Sequence, residues 1–240
     1  MSTRFPEYPF ENPRYPLPRL SVEVAVMTIR DGELQVLMVP RSEHARDGRL
    51  VLPGTFVTEA CAFGDVARQL VMQYVGPGGW AVEQVGVFSE PGRDPRGWAV
   101  STAFLVAMDP RTLDAYVAGR AECHVVSVDP DPDGRGVSLS HYDRRVLAAL
   151  DHHSIIAEGV RHMRDRLEGS LLPFRFLGED FTMLELLQVH EAVLGSSLDK
   201  SNFRKRMLAK TFPGGLQLQT TGLIEHGPHR PAAVYYLGKS

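Results

Sequence analysis

The sequence lacks the features of a membrane or secreted protein. Its 240 residues contain no apolar run of the roughly eighteen residues that a membrane-crossing helix needs. The first twenty residues contain five prolines and no apolar stretch of a signal peptide, so they predict an irregular lead-in. These absences favour a cytoplasmic protein with no membrane partner.

Cysteine is scarce as well. The two that are present, Cys61 and Cys123, stand far apart in the sequence. Two distant thiols provide neither a disulfide framework nor the paired spacing of a zinc site. We therefore expect both to be buried structural thiols.

Charge is unevenly distributed along the chain, with an excess of positive charge at its end. Residues 199–240 hold seven Lys or Arg and two acidic residues, although the whole chain has a formal net charge of −3. An acidic body with a basic tail is typical of nucleic-acid contact when the charges share one face.

Residues 20–140 have the pattern of an α+β or α/β domain. Apolar residues alternate on both sides of Asp31-Gly32, which predicts two strands joined by a tight turn. A helical stripe follows in FGDVARQLVMQYVG, and β-rich runs come next at EQVGVFSE, WAVSTAFLVAM and ECHVVSV. Strands with an interposed helix are typical of a sheet covered by helices.

The rest of the chain predicts helices and then a hairpin. Apolar spacing over residues 138–169 favours one or two helices linking the body to the tail, with the DHH tripeptide at 151–153 on a solvated helix face. Thr182 and Glu185 have capping-box spacing, and Asp199 precedes a second short helix. Two short helices followed by an alternating hairpin predict a winged helix.

The segment LPGTFV and the helix behind it resemble the Nudix family, whose signature is G-x5-E-x7-R-E-U-x-E-E-x-G-U, where U is apolar. With Gly54 as the first glycine, Arg68 takes the arginine position. The four acidic positions hold Ala60, Gln69, Met72 and Gln73. Hard divalent cations need oxygen ligands, preferably carboxylates. We therefore expect no catalytic residues, no metal site and no cofactor.

Two alternatives stay open for this segment. An amphipathic helix behind a Gly-Pro turn would give much of the same pattern without any relation to Nudix proteins. A slip of one residue would bring Glu59 into the first acidic position. Glu59 and Glu90 leave room for an active Nudix hydrolase of nucleoside diphosphate derivatives with an accessory basic domain.

From about residue 20 to its end, the chain is similar to the NrtR family of Nudix-related transcriptional regulators. The similarity rests on several further segments that occur in order along the sequence. They are RDPRGWAVSTAFL, LSHYD and FTMLELLQVHEAVLGSSLDKSNFRKRM with HRPAAVYYL. The resemblance implies a Nudix-like α/β/α sandwich with a mixed sheet, followed by a C-terminal winged helix. The implied boundaries are a lead-in at 1–19, a ligand-sensing domain with the linking helix at 20–168, and a DNA-binding domain at 169–240.

The same resemblance implies partners. They are a palindromic operator in double-stranded DNA, a second copy of the chain, and an effector that is an ADP-ribose-like or NAD-related nucleotide or a sugar derivative. Binding a diphosphate without a metal requires positive charge and hydrogen-bond donors, and arginine suits this because its guanidinium forks onto phosphate oxygens. The candidate ligand-binding residues are Arg41, Phe56, Arg68, Arg93 and Arg96.

Each ligand candidate has a structural alternative. Arg68 can pair with an acid inside the fold, and the RDPR segment can be an ordinary turn. Either Phe56 or Trp98 can stack on a base or pack in the core.

The second helix of a winged helix enters the major groove with its N-terminal residues near base edges. This geometry assigns DNA contacts to a set of polar and basic residues at the start of that helix and at the tip of the wing. They are Lys200, Ser201, Asn202, Arg204, Lys205, His229 and Arg230. Phe203 and Met207 should pack inward, and the alternative for FRKR is a solvated helix face.

The leading hypothesis is a ligand-responsive repressor, and the active hydrolase is the first alternative. A third class is a non-catalytic adaptor whose basic tail binds a protein or an RNA.

Overall fold

A computed structural model describes residues 17–41, 49–58, 60–225 and 231–239. The strands of the first part are β1 (Arg19–Arg30), β2 (Glu33–Pro40), β3 (Leu50–Val51), β4 (Gly54–Phe56), β5 (Glu83–Phe88), β6 (Ala99–Ala107), β7 (His124–Pro130), β8 (Val137–His141) and β9 (Arg144–Arg145). The helices of this part are α1 (Phe63–Val75), α2 (Pro110–Val117) and α3 (His152–Arg166).

Strand β1 lies near the centre of a mixed sheet. It runs parallel to β6 and antiparallel to β2 and β4, in the strand order β5-β6-β1-β2-β7-β8-β9. Nearly all of β1 is buried on both faces. This burial explains why its sequence is a nearly continuous apolar run, as expected of a strand covered by helices on both sides.

Helices cover both faces of this sheet. On one face, α1 packs through Val66, Leu70 and Val71 in an apolar cluster that also contains Leu113 of α2. On the other face, residues of α3 pack against the sheet in a second cluster. The predicted α/β/α sandwich with a mixed sheet is therefore confirmed.

The predicted helix over residues 138–150 is wrong. Residues 137–145 form the hairpin β8–β9, and α3 begins only at His152. Tyr142 and Asp143 occupy the turn with φ of 50° and 59°, a left-handed conformation that is incompatible with a helix. Alternating burial along β8 has the period of a strand. The residues that suggested helical spacing, Val146 and Leu150, lie after the hairpin and before α3.

The expectation of two buried thiols is wrong for Cys61, which is exposed, whereas Cys123 is half-buried. Among the described residues, no helix has the length and apolar character to cross a membrane.

The C-terminal part contains a helix-turn-helix and a small sheet. Its elements are a 3-10 helix (Leu172–Phe176), β10 (Phe181–Thr182), α4 (Met183–Leu194), α5 (Lys200–Ala209), a 3-10 turn (Pro213–Gly215), β11 (Leu216–Glu225) and β12 (Ala232–Lys239). The hairpin β11–β12 forms the wing, and β10 pairs with β12. Phe203 and Met207 are buried in the core of this part, as predicted. The predicted winged helix is confirmed.

The two parts share one apolar core. The cluster beneath the sheet contains Met27 and Val36 from the sheet and Ile156 from α3. The same cluster contains Val189 and Val193 from α4. Helix α4 therefore belongs to the helix-turn-helix and to the sandwich at once.

A reciprocal capping box starts α4, as the sequence indicated. Glu185 N donates to Thr182 Oγ1 at 3.2 Å, and Thr182 N donates to Glu185 Oε2 at 2.7 Å. We expect Thr182→Ala to lower the free energy of unfolding by about 1 kcal/mol, because the backbone donor Glu185 N loses its acceptor, Thr182 Oγ1. Urea denaturation measures this. Ser197→Ala, an exposed change in the turn after α4, is the control and should leave stability unchanged.

Candidate ligand cavity and nucleic-acid interface

A cavity of about 570 Å³ opens at one edge of the sandwich, beside β1 and β4. Its lining contains four of the predicted ligand residues, Arg41, Phe56, Arg93 and Arg96. A volume of this size is typical of small-molecule sites. Three guanidinium groups and an aromatic ring, separated in the sequence, are thus brought to one place.

A larger trough of about 1050 Å³ lies between the β7–β8 side of the sheet and the end of α4. It contains none of the predicted ligand residues. The carboxylates in its lining outnumber the arginines. The acidic residues are Glu33, Asp129, Asp143 and Glu191, and the arginine is Arg30. A phosphate-bearing ligand is repelled by such a surface, so the smaller cavity is the better candidate for an anion.

Arg93 is the buried cation of the smaller cavity, with a side chain only 3% exposed. Its Nε and Nη2 donate to the two carboxylate oxygens of Asp151, each at 2.7 Å. This is a two-pronged, charge-assisted pair of the strongest kind. The pair joins the RDPR turn to the residue that immediately precedes α3.

Arg96 lies at the exposed rim and pairs with Asp94. Its Nη2 donates to Asp94 Oδ2 at 2.8 Å, and its backbone N donates to Asp94 Oδ1 at 2.9 Å. The hydrogen bond from Arg96 lowers the pKa of Asp94 to about 2. The Arg96 guanidinium lies 5.2 Å from the ring centroid of Phe56. The RDPR segment, for which the sequence allowed either a ligand contact or an ordinary turn, is therefore an ordered turn that also lines the cavity.

Phe56 and Trp98 have different surroundings. Phe56 is half-buried in the cavity lining, whereas Trp98 is exposed and lies outside that lining. Of the two aromatic candidates, Phe56 is the one placed where a base can stack.

Two polar groups in the lining lack hydrogen-bond partners among the described residues. They are Glu23 Oε2 and Arg41 Nη2, both buried. Ser21 donates to the other oxygen of Glu23 at 2.9 Å, and burial raises the pKa of this carboxyl. Buried polar atoms are rarely left unpaired, so these two atoms indicate where a ligand's polar groups would be satisfied.

His152 is buried, so the prediction that DHH forms a solvated helix face is wrong for this residue. Its Nδ1 accepts a hydrogen bond from Leu52 N at 2.9 Å, and burial lowers its pKa to about 4. The first turn of α3 points this ring towards the LPG segment, while His153 is exposed. His152 and Asp151 thus attach the start of α3 to the cavity.

We expect the buried His152 to make the protein sensitive to acid. Its pKa is about 4 in the folded state, against an ordinary 6.5, so the unfolded chain takes up the proton first as the pH falls. The contribution is fully present above pH 6.5 and is lost towards pH 4, by roughly 3 kcal/mol.

Denaturation of the wild type and of His152→Asn at several pH values measures this difference. Asparagine keeps an acceptor for Leu52 N and cannot be protonated. His153→Asn is the matched control and should keep the wild-type acid sensitivity. An unchanged pH profile in His152→Asn would contradict the assignment.

Helix α1 carries on its exposed face three of the residues that the sequence places at acidic positions of the Nudix signature. Gln69, Met72 and Gln73 are exposed, and Arg68 forms an exposed ion pair with Asp65. Arg68 does not line the cavity. Its position fits the alternative interpretation of the sequence, in which Arg68 forms an ion pair within the protein and does not bind the ligand. Glu59 lies outside the described residues. Within the described parts of the chain, no group of three or more His, Cys, Asp or Glu side chains could hold a metal ion.

The start of α5 presents the predicted DNA-contacting residues. Asp199 caps this helix by accepting from Asn202 N at 2.8 Å. The exposed residues are Lys200, Ser201, Asn202, Arg204 and Lys205. The predicted wing-tip contacts His229 and Arg230 lie outside the described residues.

Two cations at the end of the recognition helix form ion pairs with one carboxylate. Arg206 Nη2 lies 3.1 Å from Glu168 Oε1, and Lys210 Nζ donates to Glu168 Oε2 at 2.8 Å. All three cations of the FRKR segment are exposed, and Arg206 differs from Arg204 and Lys205 by its surface ion pair with Glu168.

Sequence comparison finds relatives for both parts of the chain. Residues 173–237 match the family model of the NrtR DNA-binding winged helix domain. The chain is 25% identical over 233 residues to the ADPR responsive transcriptional repressor NtrR of Acinetobacter baylyi, covering 94% of this chain and 84% of that protein.

Structural comparison gives the same relationship. Shewanella oneidensis NrtR, crystallised with a 27mer DNA, is 27% identical with a TM-score of 0.73, over 91% of this chain and 93% of that one. A MutT/nudix family protein from Enterococcus faecalis is 27% identical with a TM-score of 0.72, over 95% and 89% of the two chains. The resemblance to the NrtR family, with a Nudix-like domain followed by a winged helix, is confirmed.

Proposed function

We propose that this chain is a DNA-binding transcriptional repressor whose Nudix-like domain senses ADP-ribose or a related nucleotide. The observation that carries the proposal is the pairing of two sites in one chain: an arginine-lined cavity in the sandwich and an exposed basic face on α5. The relatives named as an ADPR-responsive repressor and as a DNA complex support both halves.

The cavity suits a nucleoside diphosphate derivative. Arg41 and Arg96 can fork onto phosphate oxygens without a metal, because guanidinium matches phosphate geometry. Phe56 can stack on the base, and the unpaired Glu23 Oε2 can engage a ribose hydroxyl or an exocyclic amine. A sugar derivative is the second ligand class, since it would satisfy Glu23 while using less of the positive charge.

The DNA interface centres on the first turns of α5. Asn202 can donate to and accept from an adenine edge, while Arg204 and Lys205 can reach guanine or the phosphates. His229 and Arg230 would add wing contacts with the minor groove or the backbone. We propose that two copies of the chain bind a palindromic operator, with domains at 20–168 and 169–240, in the cytoplasm.

The Nudix-like domain would bind without hydrolysing. The four acidic positions of the signature hold Ala60, Gln69, Met72 and Gln73, and the last three sit on the exposed face of α1. Neutral and thioether side chains are poor ligands for Mg²⁺. Incubating the protein with ADP-ribose and Mg²⁺ or Mn²⁺ tests the alternative, and turnover that scales with enzyme concentration would favour an active hydrolase.

A gel-shift experiment with the DNA upstream of the chain's own gene tests the proposal. We expect a specific complex whose affinity falls steeply with salt, because phosphate contacts release counterions. Adding ADP-ribose should change the affinity, whereas AMP at the same concentration should not. The absence of a specific complex would overturn the DNA-binding half, and a complex indifferent to ADP-ribose would overturn the sensing half.

A further inference from the structure

Helix α3 begins at the ligand cavity. The residue before it, Asp151, holds the buried guanidinium of Arg93 through both carboxylate oxygens. Its first residue, His152, accepts a hydrogen bond from the backbone of Leu52, which also lines the cavity. The start of α3 is therefore fixed to two cavity-lining residues, one by charge and one by a backbone hydrogen bond.

The other end of α3 holds the first helix of the helix-turn-helix. Arg164 Nε donates to Val193 O at 2.9 Å, and its Nη2 donates to Leu194 O at 3.0 Å. These carbonyls belong to the last turn of α4, where they have no partner within the helix. A cation is also favoured there by the helix dipole. Arg164 thus fixes the position of the C-terminal end of α4.

The chain just beyond α3 contacts the second helix. Glu168 pairs with Arg206 of α5 at 3.1 Å and with Lys210, the residue after α5, at 2.8 Å. A helix of fifteen residues is rigid over about 22 Å. Helix α3 and the two residues that follow it therefore connect the cavity to both helices of the DNA-binding motif.

Arg93 is the contact at which a ligand and α3 compete. It lines the cavity, it is the buried one of the three cavity arginines, and its fork is committed to Asp151. A diphosphate entering the cavity offers the same guanidinium a second set of anionic oxygens. A ligand shifts a conformational equilibrium only when it interacts differently with the two states, and this exchange of partners provides the difference.

Building on the proposed function, we propose that Asp151 is a positioning residue: through Arg93 it converts occupancy of the cavity by a diphosphate into a displacement of helix α3. Arg164 and Glu168 pass that displacement to α4 and α5. The effector thereby alters the spacing or tilt of the recognition helix without touching it. Loss of the Arg93–Asp151 pair should uncouple the two sites while leaving each able to bind.

The test measures a coupling ratio, the operator affinity without ADP-ribose divided by that with ADP-ribose. Fluorescence anisotropy gives it for the full chain, and calorimetry gives the ADP-ribose affinity. We expect a wild-type ratio that differs from one by at least about fivefold in either direction. Asp151→Asn should bring it within about twofold of one, with ADP-ribose bound at least as tightly because Arg93 has lost its competitor. Asp165→Asn, an exposed change of equal charge on α3, should keep the wild-type ratio.

A second variant acts at the far end of the helix. Arg164→Lys removes the fork onto the two α4 carbonyls while keeping the charge, so it should also reduce the ratio, with ADP-ribose affinity within about twofold of wild type. A purely structural role would lower the melting temperature and both affinities but leave the ratio intact.

A wild-type ratio in either folded variant would overturn the proposal. If Asp151→Asn does not fold, the result for Arg164→Lys decides. A wild type that binds neither operator nor ADP-ribose, or shows a ratio of one, would instead overturn the proposed function, and this is visible before any variant is made.

Discussion

Replacing Arg204 and Lys205 together with alanine is expected to lower operator affinity by about a hundredfold at physiological salt. Both side chains are exposed on α5, whereas Arg206 and Lys210 are held by Glu168. We therefore expect Arg204 and Lys205, together with the exposed Lys200, to supply most of the cationic contact of this helix with DNA. The slope of log affinity against log salt concentration should also become shallower by roughly 2, since each lost phosphate contact removes about one released counterion.

The matched control removes the same charge outside the helix-turn-helix. Arg111→Ala with Arg135→Ala changes two exposed arginines of the sandwich domain and should alter operator affinity by no more than about twofold. Anisotropy titrations at three salt concentrations give both the affinity and the slope. An equal loss in the two double variants would mean that net charge alone drives binding. No loss on changing Arg204 and Lys205 would favour an adaptor whose partner is a protein or an RNA.

Arg93→Met is expected to lower the free energy of unfolding by about 3 kcal/mol, because it leaves Asp151 with an unpaired charge beside a buried surface. The same variant should lose measurable ADP-ribose binding, since the cavity then lacks its buried cation. Urea denaturation gives the stability, and calorimetry below the onset of unfolding gives the binding.

Arg161→Met is the comparison variant. It removes an arginine of the same chemistry from an exposed pair with Glu158 on α3. An exposed pair contributes little, so the change in stability should stay within about 1 kcal/mol and ADP-ribose affinity should be unchanged. If Arg93→Met were as stable as Arg161→Met, the buried pair would be energetically unimportant and its role in coupling would be untenable.

Local sequence patterns were sufficient for much of this structure. The capping box at Thr182 and Glu185, the Asp199 cap and the inward stripe of Phe203 and Met207 all follow from spacings of three or four residues. Such interactions lie within one helical turn, so a single sequence carries them. The helix-turn-helix was predictable for this reason, whereas the sandwich was implied by the resemblance to the Nudix and NrtR families.

The errors occurred where distant residues decide the outcome. The β8–β9 hairpin stands where a helix was predicted because β8 pairs with β7, a strand that is close in space and cannot be read from the local apolar spacing. His152 looked like a surface residue until Leu52, one hundred positions away, was brought against it. Asp151 was missed because its partner Arg93 is remote. Glu23 was missed too, although a lone carboxylate inside the apolar run SVEVAVMTI was a usable signal.

The shared apolar core couples the folding of the two parts of the chain. Val189 and Val193 of α4 complete the cluster that Met27 and Val36 form under the sheet. Removing the C-terminal part would uncover that face of the sheet and expose apolar surface, which favours aggregation. We therefore expect calorimetry to record a single cooperative transition rather than two. A proteolytic cut between the parts should accordingly destabilise the sandwich fragment, so loss of the DNA-binding part would also shorten the lifetime of the sensing part.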